Sequence, residues 1–145
     1  MKTLVTLFLV LSFSFSALAT SYLFPVAKLK TFTAADMKAD REAKAKKQKT
    51  NLKIDEMFSA IDDTVVAITK NQLKSSPEII RELARVTLLT FENDPGLYAA
   101  ELLLPLYNKD KKSFEKALSS FSAEQRDSLL TALKDKARES VEGND

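Results

Sequence analysis

The 145-residue sequence contains no histidine and no cysteine. Histidine is the side chain most often used as a general base and as a transition-metal ligand, and a thiolate is the nucleophile of every cysteine mechanism. Their absence excludes a serine–histidine–aspartate triad and any zinc site built from histidine or cysteine ligands. Side-chain chemistry would have to come from carboxylates, lysines, serines and tyrosines.

A short match to a catalytic motif joins Ser113 to Lys116. The S-x-x-K spacing is that of the nucleophilic serine and its lysine in penicillin-binding proteins. Neither the K-T-G element nor a serine-containing second element of that site accompanies the match. On a helix whose apolar side carries Phe114, Leu118 and Phe121, both residues fall on the polar side. We therefore interpret them as surface residues and not as a nucleophile with its base.

Three pairs of carboxylates stand close together in the sequence: Asp55 with Glu56, Asp62 with Asp63, and Glu78 with Glu82. Acid–base catalysis needs two carboxyl groups that face each other across a substrate, in environments that separate their pKa values. Nothing in the sequence aims these pairs at a common cleft. Arg81 and Arg85 interleave with the last pair at helical spacing, which indicates a solvated ion-pair face. Since calcium, phosphate and dinucleotide motifs are also missing, we predict no catalytic residue, no metal site and no cofactor.

The most unusual stretch is AADMKADREAKAKKQK, residues 34–49, which holds six basic and three acidic residues. Its order of charges suits a helix, with a T-x-x-D start at Thr33 and Asp36 and lysines at the end. Two pairs have the favourable i,i+4 order: Asp40 with Lys44 and Glu42 with Lys46. We predict an exposed charged helix over residues 34–51 that acts as a spacer. The alternative is an electrostatic contact between its lysines and anionic surfaces of the cell envelope.

Residues 20–33 form an apolar and aromatic segment in front of this helix. We expect an extended strap that packs on the helical body. The alternatives are insertion into a partner or a membrane surface, and membership of an uncleaved membrane anchor, since an exposed apolar segment usually marks an interaction site. Our candidate interaction residues come from both segments: Tyr22, Leu23, Phe24, Lys44, Lys46, Lys47 and Lys49.

The first residues have the three parts of a secretory signal peptide. Lys2 provides the positive start, an apolar run follows, and Ala17-Leu18-Ala19 provides the small-x-small cleavage pattern. We predict a signal peptide over residues 1–19 and an exported protein, periplasmic or secreted. The alternative is a membrane-anchored protein, because no charge occurs from Thr3 to Ala27 and roughly 20 apolar residues span a bilayer. Without cysteine the core must be held by packing alone.

The remaining sequence predicts an all-α fold. Only two glycines and four prolines are present, which disfavours a β-sandwich or barrel and favours helices joined by short capped turns. Apolar side chains recur at helical spacing in one stripe of the first body helix: Ile54, Phe58, Ile61, Val65 and Ile68. We predict a small bundle of about five helices over residues 52–141, followed by a disordered tail over residues 142–145.

Start and stop signals divide this region into helices. Ser76 with Pro77 and Asp94 with Pro95 predict two helix starts. Ser122 and Gln125 form a capping box for the last helix. Pro105 lies inside a leucine-rich helical pattern, so we expect that helix to end or kink near Leu104. The leucines around it are expected to be buried, with an exposed patch for a partner as the alternative.

The charge is unevenly distributed along the chain. Residues 20–53 carry nine basic and three acidic residues, a net charge of +6, whereas residues 54–145 carry twelve basic and seventeen acidic residues, a net charge of −5. We predict an exported, non-enzymatic helical protein that binds an unknown protein or an anionic envelope component. Nucleic acid is excluded as a partner because acidic residues dilute the lysines. The alternatives are a periplasmic chaperone that holds unfolded clients and a carboxylate-dependent enzyme acting on an envelope substrate.

Overall fold

The computed structural model describes residues 25–48 and 52–142, and this part of the chain forms helices and no strands. The elements in chain order are α1 (residues 25–29), α2 (Ala34–Ala45), α3 (Lys53–Thr69), α4 (Pro77–Thr90), α5 (Tyr98–Lys109), α6 (Lys111–Ala117), a 3₁₀ turn (Leu118–Ser120) and α7 (Ala123–Glu142). The predicted all-α fold is confirmed, and so are the five helices of the body. The predicted signal peptide and residues 143–145 lie outside the described residues.

The core is one cluster to which all seven helices contribute. The helix α3 packs most extensively on α5, and α5 also packs on α7. The apolar stripe of α3 faces this core as predicted, with Ile54, Ile61, Val65 and Ile68 buried and Phe58 partly buried. Because the stripe follows the 3.6-residue period, one face of the helix is covered along its whole length.

We predicted that the leucine-rich helix α5 ends or kinks near Leu104. The helix continues through Pro105 to Lys109, so the first of these alternatives, an end, is wrong. A proline in a helix removes one backbone hydrogen bond and costs about 3 kcal/mol. Burial on both sides of the proline offsets this cost, since Leu103, Leu106 and Tyr107 lie in the core. The interpretation of these leucines as core residues is confirmed.

Two predicted helix starts are confirmed, and a third is displaced. Ser76 Oγ accepts the Ile79 amide at 3.3 Å at the start of α4, and Ser122 with Gln125 forms the reciprocal box in front of α7. The start predicted at Pro95 is wrong, because residues 94–97 form a turn and α5 begins at Tyr98. Asp94 still caps this helix, since its carboxylate accepts the Ala99 amide at 3.0 Å.

The N-terminal segment packs on the body in its described part, residues 25–33. Leu29 is fully buried and Phe32 is 3% exposed, and both belong to the core. The Arg85 guanidinium donates to the carbonyls of Phe32 and Leu29, each at 2.8 Å. The segment is helical over residues 25–29 and not extended as expected. The turn that follows brings the Leu29 and Phe32 carbonyls within reach of one guanidinium fork.

Candidate interaction surface

The charged helix α2 lies against the body and is not a spacer. Met37 is 1% exposed and Asp40 is 5% exposed, and the helix contacts α3 and α4. Arg41 donates to Asn93 at 2.8 Å and pairs with Glu92 at 2.7 Å. The spacer interpretation is therefore wrong for residues 34–48. The buried methionine and the buried carboxylate lie on one face of the helix, and this face packs against the body.

Asp40 caps a helix other than its own. Its two carboxylate oxygens accept the amides of Lys53 at 3.0 Å and of Ile54 at 2.8 Å, which are the first amides of α3. The residue at the N-cap of α3 is Leu52, which has no side-chain acceptor. The carboxylate supplies that acceptor and places negative charge at the positive end of the helix dipole. Because both oxygens face α3, the predicted pair between the described residues Asp40 and Lys44 is not formed.

The carboxylate of Asp36, in the same stretch, also accepts a hydrogen bond from a backbone amide. Asp36 accepts the Thr33 amide at 2.7 Å and the Thr33 hydroxyl at 2.8 Å, which confirms the predicted T-x-x-D start of α2. The third carboxylate, Glu42, lies exposed. Of the three acidic residues of α2, only Asp40 is buried, whereas Asp36 is half-buried and Glu42 is exposed.

Three lysines gather where α2 ends. The amide of Gln48 donates to the Ala43 carbonyl and that of Lys47 donates to the Lys44 carbonyl, both at 3.1 Å, which closes the helix in a Schellman turn. Lys47 takes the left-handed position, with φ of 52°, that glycine usually occupies. The side chains of Lys44, Lys46 and Lys47 are exposed, and within residues 25–48 and 52–142 none of them forms an ion pair. We name these three residues the α2 lysine cluster.

The cluster follows directly after the part of α2 that contacts the start of α3. Lys28 pairs with Glu56 at 3.4 Å, in the first turn of α3, and Asp40 of α2 caps that same turn. Lys53 also donates to Glu56, at 2.9 Å. The hydrogen bond from Lys53, together with the nearby Lys28 ammonium, lowers the pKa of the Glu56 carboxyl. The start of α3 thus brings together Lys28 of α1 and Asp40 of α2.

The remaining candidate interaction residues, Tyr22, Leu23, Phe24 and Lys49, lie outside the described residues. The structure therefore brings together three of the seven candidates. Sequence reasoning missed Asp40 as a helix cap and Arg85 as a contact of the N-terminal segment. The apolar residue at position 52, with no acceptor of its own in front of α3, was the signal that a cap had to come from elsewhere.

The residues of the S-x-x-K match belong to the surface of α6. Ser113 and Lys116 are exposed, whereas Phe114 and Leu118 are buried, so the predicted division into polar and apolar sides is confirmed. Asp110 accepts the Ser113 amide at 3.0 Å at the start of the helix. Hydrogen bonds from the Ser113 side chain and backbone lower the pKa of the Asp110 carboxyl. The hydroxyl group thus belongs to a helix cap.

Part of the predicted ion-pair face of α4 contacts the N-terminal segment and is not only solvated. Glu82 accepts from the Arg85 side chain at 3.0 Å and thereby orients it toward the N-terminal segment, and Glu78 pairs with Lys30 of that segment at 2.7 Å. The hydrogen bond and charge of Lys30 lower the pKa of Glu78. The charged residues of α4 therefore bind the N-terminal segment as well as each other.

The carboxylates considered for catalysis lie on the surface. Asp55, Asp62 and Asp63 are exposed on α3, and Glu78 is exposed on α4. In the described part of the chain, no three acidic residues come together in a group that could hold a metal ion.

A small apolar cavity of about 140 Å³ lies between α3, α4, α5 and α6. Its walls include Ile68, Ile80, Leu106 and Phe114, and Ser113 lies at its edge. The polar groups at its rim are already engaged, since Asp110 caps α6 and Lys109 donates to Asn71 at 3.3 Å.

Among the helices of residues 25–48 and 52–142, none combines the length and the hydrophobicity needed to cross a bilayer. In comparisons with protein-family models, with curated proteins and with solved structures, the chain matches none of them.

Proposed function

We propose that this protein is an exported, non-enzymatic helical protein that acts by binding an anionic partner through the α2 lysine cluster. One observation carries the proposal. In the stretch that contains the cluster, Asp36 and Asp40 are directed at backbone amides, while the lysines project outward without a counter-charge among the described residues.

The distribution of charge supports a directional role for this surface. Residues 20–53 carry a net charge of +6 and residues 54–145 a net charge of −5, so the excess of basic residues is concentrated in the N-terminal part of the sequence. Such a separation orients a protein toward a charged partner during its approach and raises the association rate.

Export rests on the sequence. The signal-peptide pattern over residues 1–19 predicts passage through a membrane, and a chain without cysteine folds equally well in an oxidising compartment. A periplasmic or secreted protein meets anionic lipids, anionic polymers and other proteins, all of which are candidates for a basic surface.

The chaperone alternative requires apolar surface on which to hold unfolded clients. Within the described ranges the large hydrophobic side chains that lie exposed are Tyr98, at 48%, and Val141, at 69%. Two isolated side chains offer a client little to hold, which favours the charged surface as the binding element.

Site-specific crosslinking in cells tests the proposal. A photoreactive residue at position 44, 46 or 47 is expected to capture an envelope component, whereas the same residue at the exposed positions Lys70, Lys74 or Lys134 captures none. Fractionation of the same cells and the mass of the mature N-terminus test export and cleavage after Ala19. The proposal is overturned if neither set of positions yields an adduct and the protein stays monomeric and unbound.

A further inference from the structure

We infer that the anionic partner of the α2 lysine cluster is a lipid bilayer surface. The inference rests on the proposed function and names the partner of the same surface. It depends on the shape and chemistry of the cluster and on where the cluster lies relative to the entry of the chain into the body.

The cluster presents exposed point charges at the C-terminal end of a helix. Lys44, Lys46 and Lys47 follow one another around the end of a helix and all are exposed. Lysine is a compact charge on a flexible stem, without the fork geometry by which arginine recognises one carboxylate or phosphate. The arginine of this helix, Arg41, is already paired with Glu92 and Asn93. Flexible point charges suit a fluid surface with many mobile headgroups.

The helix lacks the side chains that other anionic partners would need. Single-stranded nucleic acid is held by stacking of bases on aromatic side chains, and protein interfaces depend on buried aromatic or arginine anchors. No aromatic residue occurs between Ala34 and Gln48, and the apolar Met37 is buried. An anionic bilayer requires neither feature, because its attraction for lysine is electrostatic.

The position of the cluster matches that of a membrane-proximal basic patch. Lys28, which pairs with Glu56, places the entry of the chain at the first turn of α3, the turn that Asp40 of α2 caps. In sequence, the apolar residues Tyr22, Leu23 and Phe24 directly precede this entry. Stable attachment to a membrane usually combines an apolar element with a basic patch, since neither suffices alone. The sequence therefore supplies both signals, the apolar residues Tyr22, Leu23 and Phe24 and the lysines of the cluster.

Vesicle binding by the purified mature protein tests the inference. The probes are vesicles of phosphatidylglycerol and phosphatidylcholine in equal parts, and vesicles of phosphatidylcholine alone. The test variant is Lys44→Gln/Lys46→Gln/Lys47→Gln, and the matched control is Lys70→Gln/Lys74→Gln/Lys134→Gln, which removes the same charge from exposed positions elsewhere. Far-ultraviolet circular dichroism verifies that both variants keep the helical fold.

We expect the protein to bind the anionic vesicles and not the neutral ones. Each lysine near an anionic surface contributes about a fivefold factor, so the test variant loses about 100-fold in affinity. The control variant loses far less, and binding of the unmodified protein weakens as salt shortens the range of the attraction from about 10 Å at 0.1 M.

Three results overturn the lipid inference in distinguishable ways. Equal binding by the test and control variants places the lipid contact elsewhere on the molecule. Absence of vesicle binding together with a protein or polymer crosslinked at positions 44, 46 or 47 rejects the lipid and leaves the proposed function intact. Absence of both vesicle binding and crosslinking rejects the inference and the proposed function together.

Discussion

The helices α3 and α4 begin in different ways. At the start of α4, Ser76 lies next to the amides that it caps and accepts the Ile79 amide three residues away. At the start of α3, the acceptor is Asp40, thirteen residues before Lys53 and on another helix. A free helix could use the first arrangement, whereas the second exists only when α2 is docked. The comparison shows that the charged stretch is part of the architecture of the bundle.

The largest expected effect comes from removing the distant cap. Asp40→Ala leaves the amides of Lys53 and Ile54 without their acceptor at a buried position, and we expect a loss of about 2 kcal/mol in the free energy of unfolding. Ser76→Ala, the local counterpart, should cost about 1 kcal/mol. Urea denaturation followed by circular dichroism measures both. If the two variants lose the same amount, the distinction between distant and local caps fails.

A smaller loss is expected for Arg85→Gln, which removes the donors to the carbonyls of Leu29 and Phe32. We expect about 1.5 kcal/mol from two hydrogen bonds made by a charged donor. Hydrogen exchange should quicken at residues 28–33 before it quickens in α5. The control is Arg81→Gln on the same helix. Equal exchange in the two variants would show that burial of Leu29 alone holds the segment.

The helices α3 and α4 also differ in the hydrogen bonding of one buried threonine in each. Thr64 donates to the Ala60 carbonyl of its own helix at 2.7 Å, whereas the buried Thr87 hydroxyl has no hydrogen-bond partner in the described structure. We expect Thr87→Val to raise the free energy of unfolding by about 1 kcal/mol, because it removes an unsatisfied polar group at constant shape. Thr64→Val should not stabilise the protein. A gain of equal size in both variants would contradict this account.

The smallest effect concerns the ion pairs of Glu56 and depends on pH. Hydrogen bonds and charge from Lys53 and Lys28 lower the pKa of Glu56 below its ordinary value of 4.5. A carboxyl with a lowered pKa in the folded state stabilises the protein above its ordinary pKa and loses this contribution as the pH falls through the folded value. The difference in stability between the protein and Glu56→Gln should therefore shrink below about pH 4.5. A difference that stays constant with pH would exclude Glu56 as its source.

Much of the fold could be predicted from local patterns. The apolar stripe of α3, the caps at Ser76 and Ser122, and the T-x-x-D start at Thr33 all involve residues within one or two turns of each other. The candidate surface was predicted in part, since the lysines at the end of α2 were named from sequence. Their setting was not, because local spacing assigned Asp40 to Lys44 as an i,i+4 partner.

The errors share a physical cause. The continuation of α5 through Pro105, the docking of α2 and the helical form of residues 25–29 each depend on contacts between distant parts of the chain. Local propensity counts the proline as unfavourable in a helix, and it predicts that the charged helix does not pack on the body. Propensity takes no account of the burial around Pro105 that offsets the cost of the proline. It also takes no account of the acceptor that α2 supplies to the start of α3.

By itself, the sequence determined that the described chain is all-α, because helical periodicity and capping are short-range and glycine is nearly absent. It also determined that histidine and cysteine chemistry is excluded. Only the tertiary structure decided which charges remain on the surface of α2. A carboxylate can be directed outward to a lysine or inward to the amides of another helix, and that choice depends on whether a helix start lies within reach. At Asp40 one does, so within the described residues Lys44 forms no ion pair with it, and the proposed function depends on the exposure of this lysine and its neighbours.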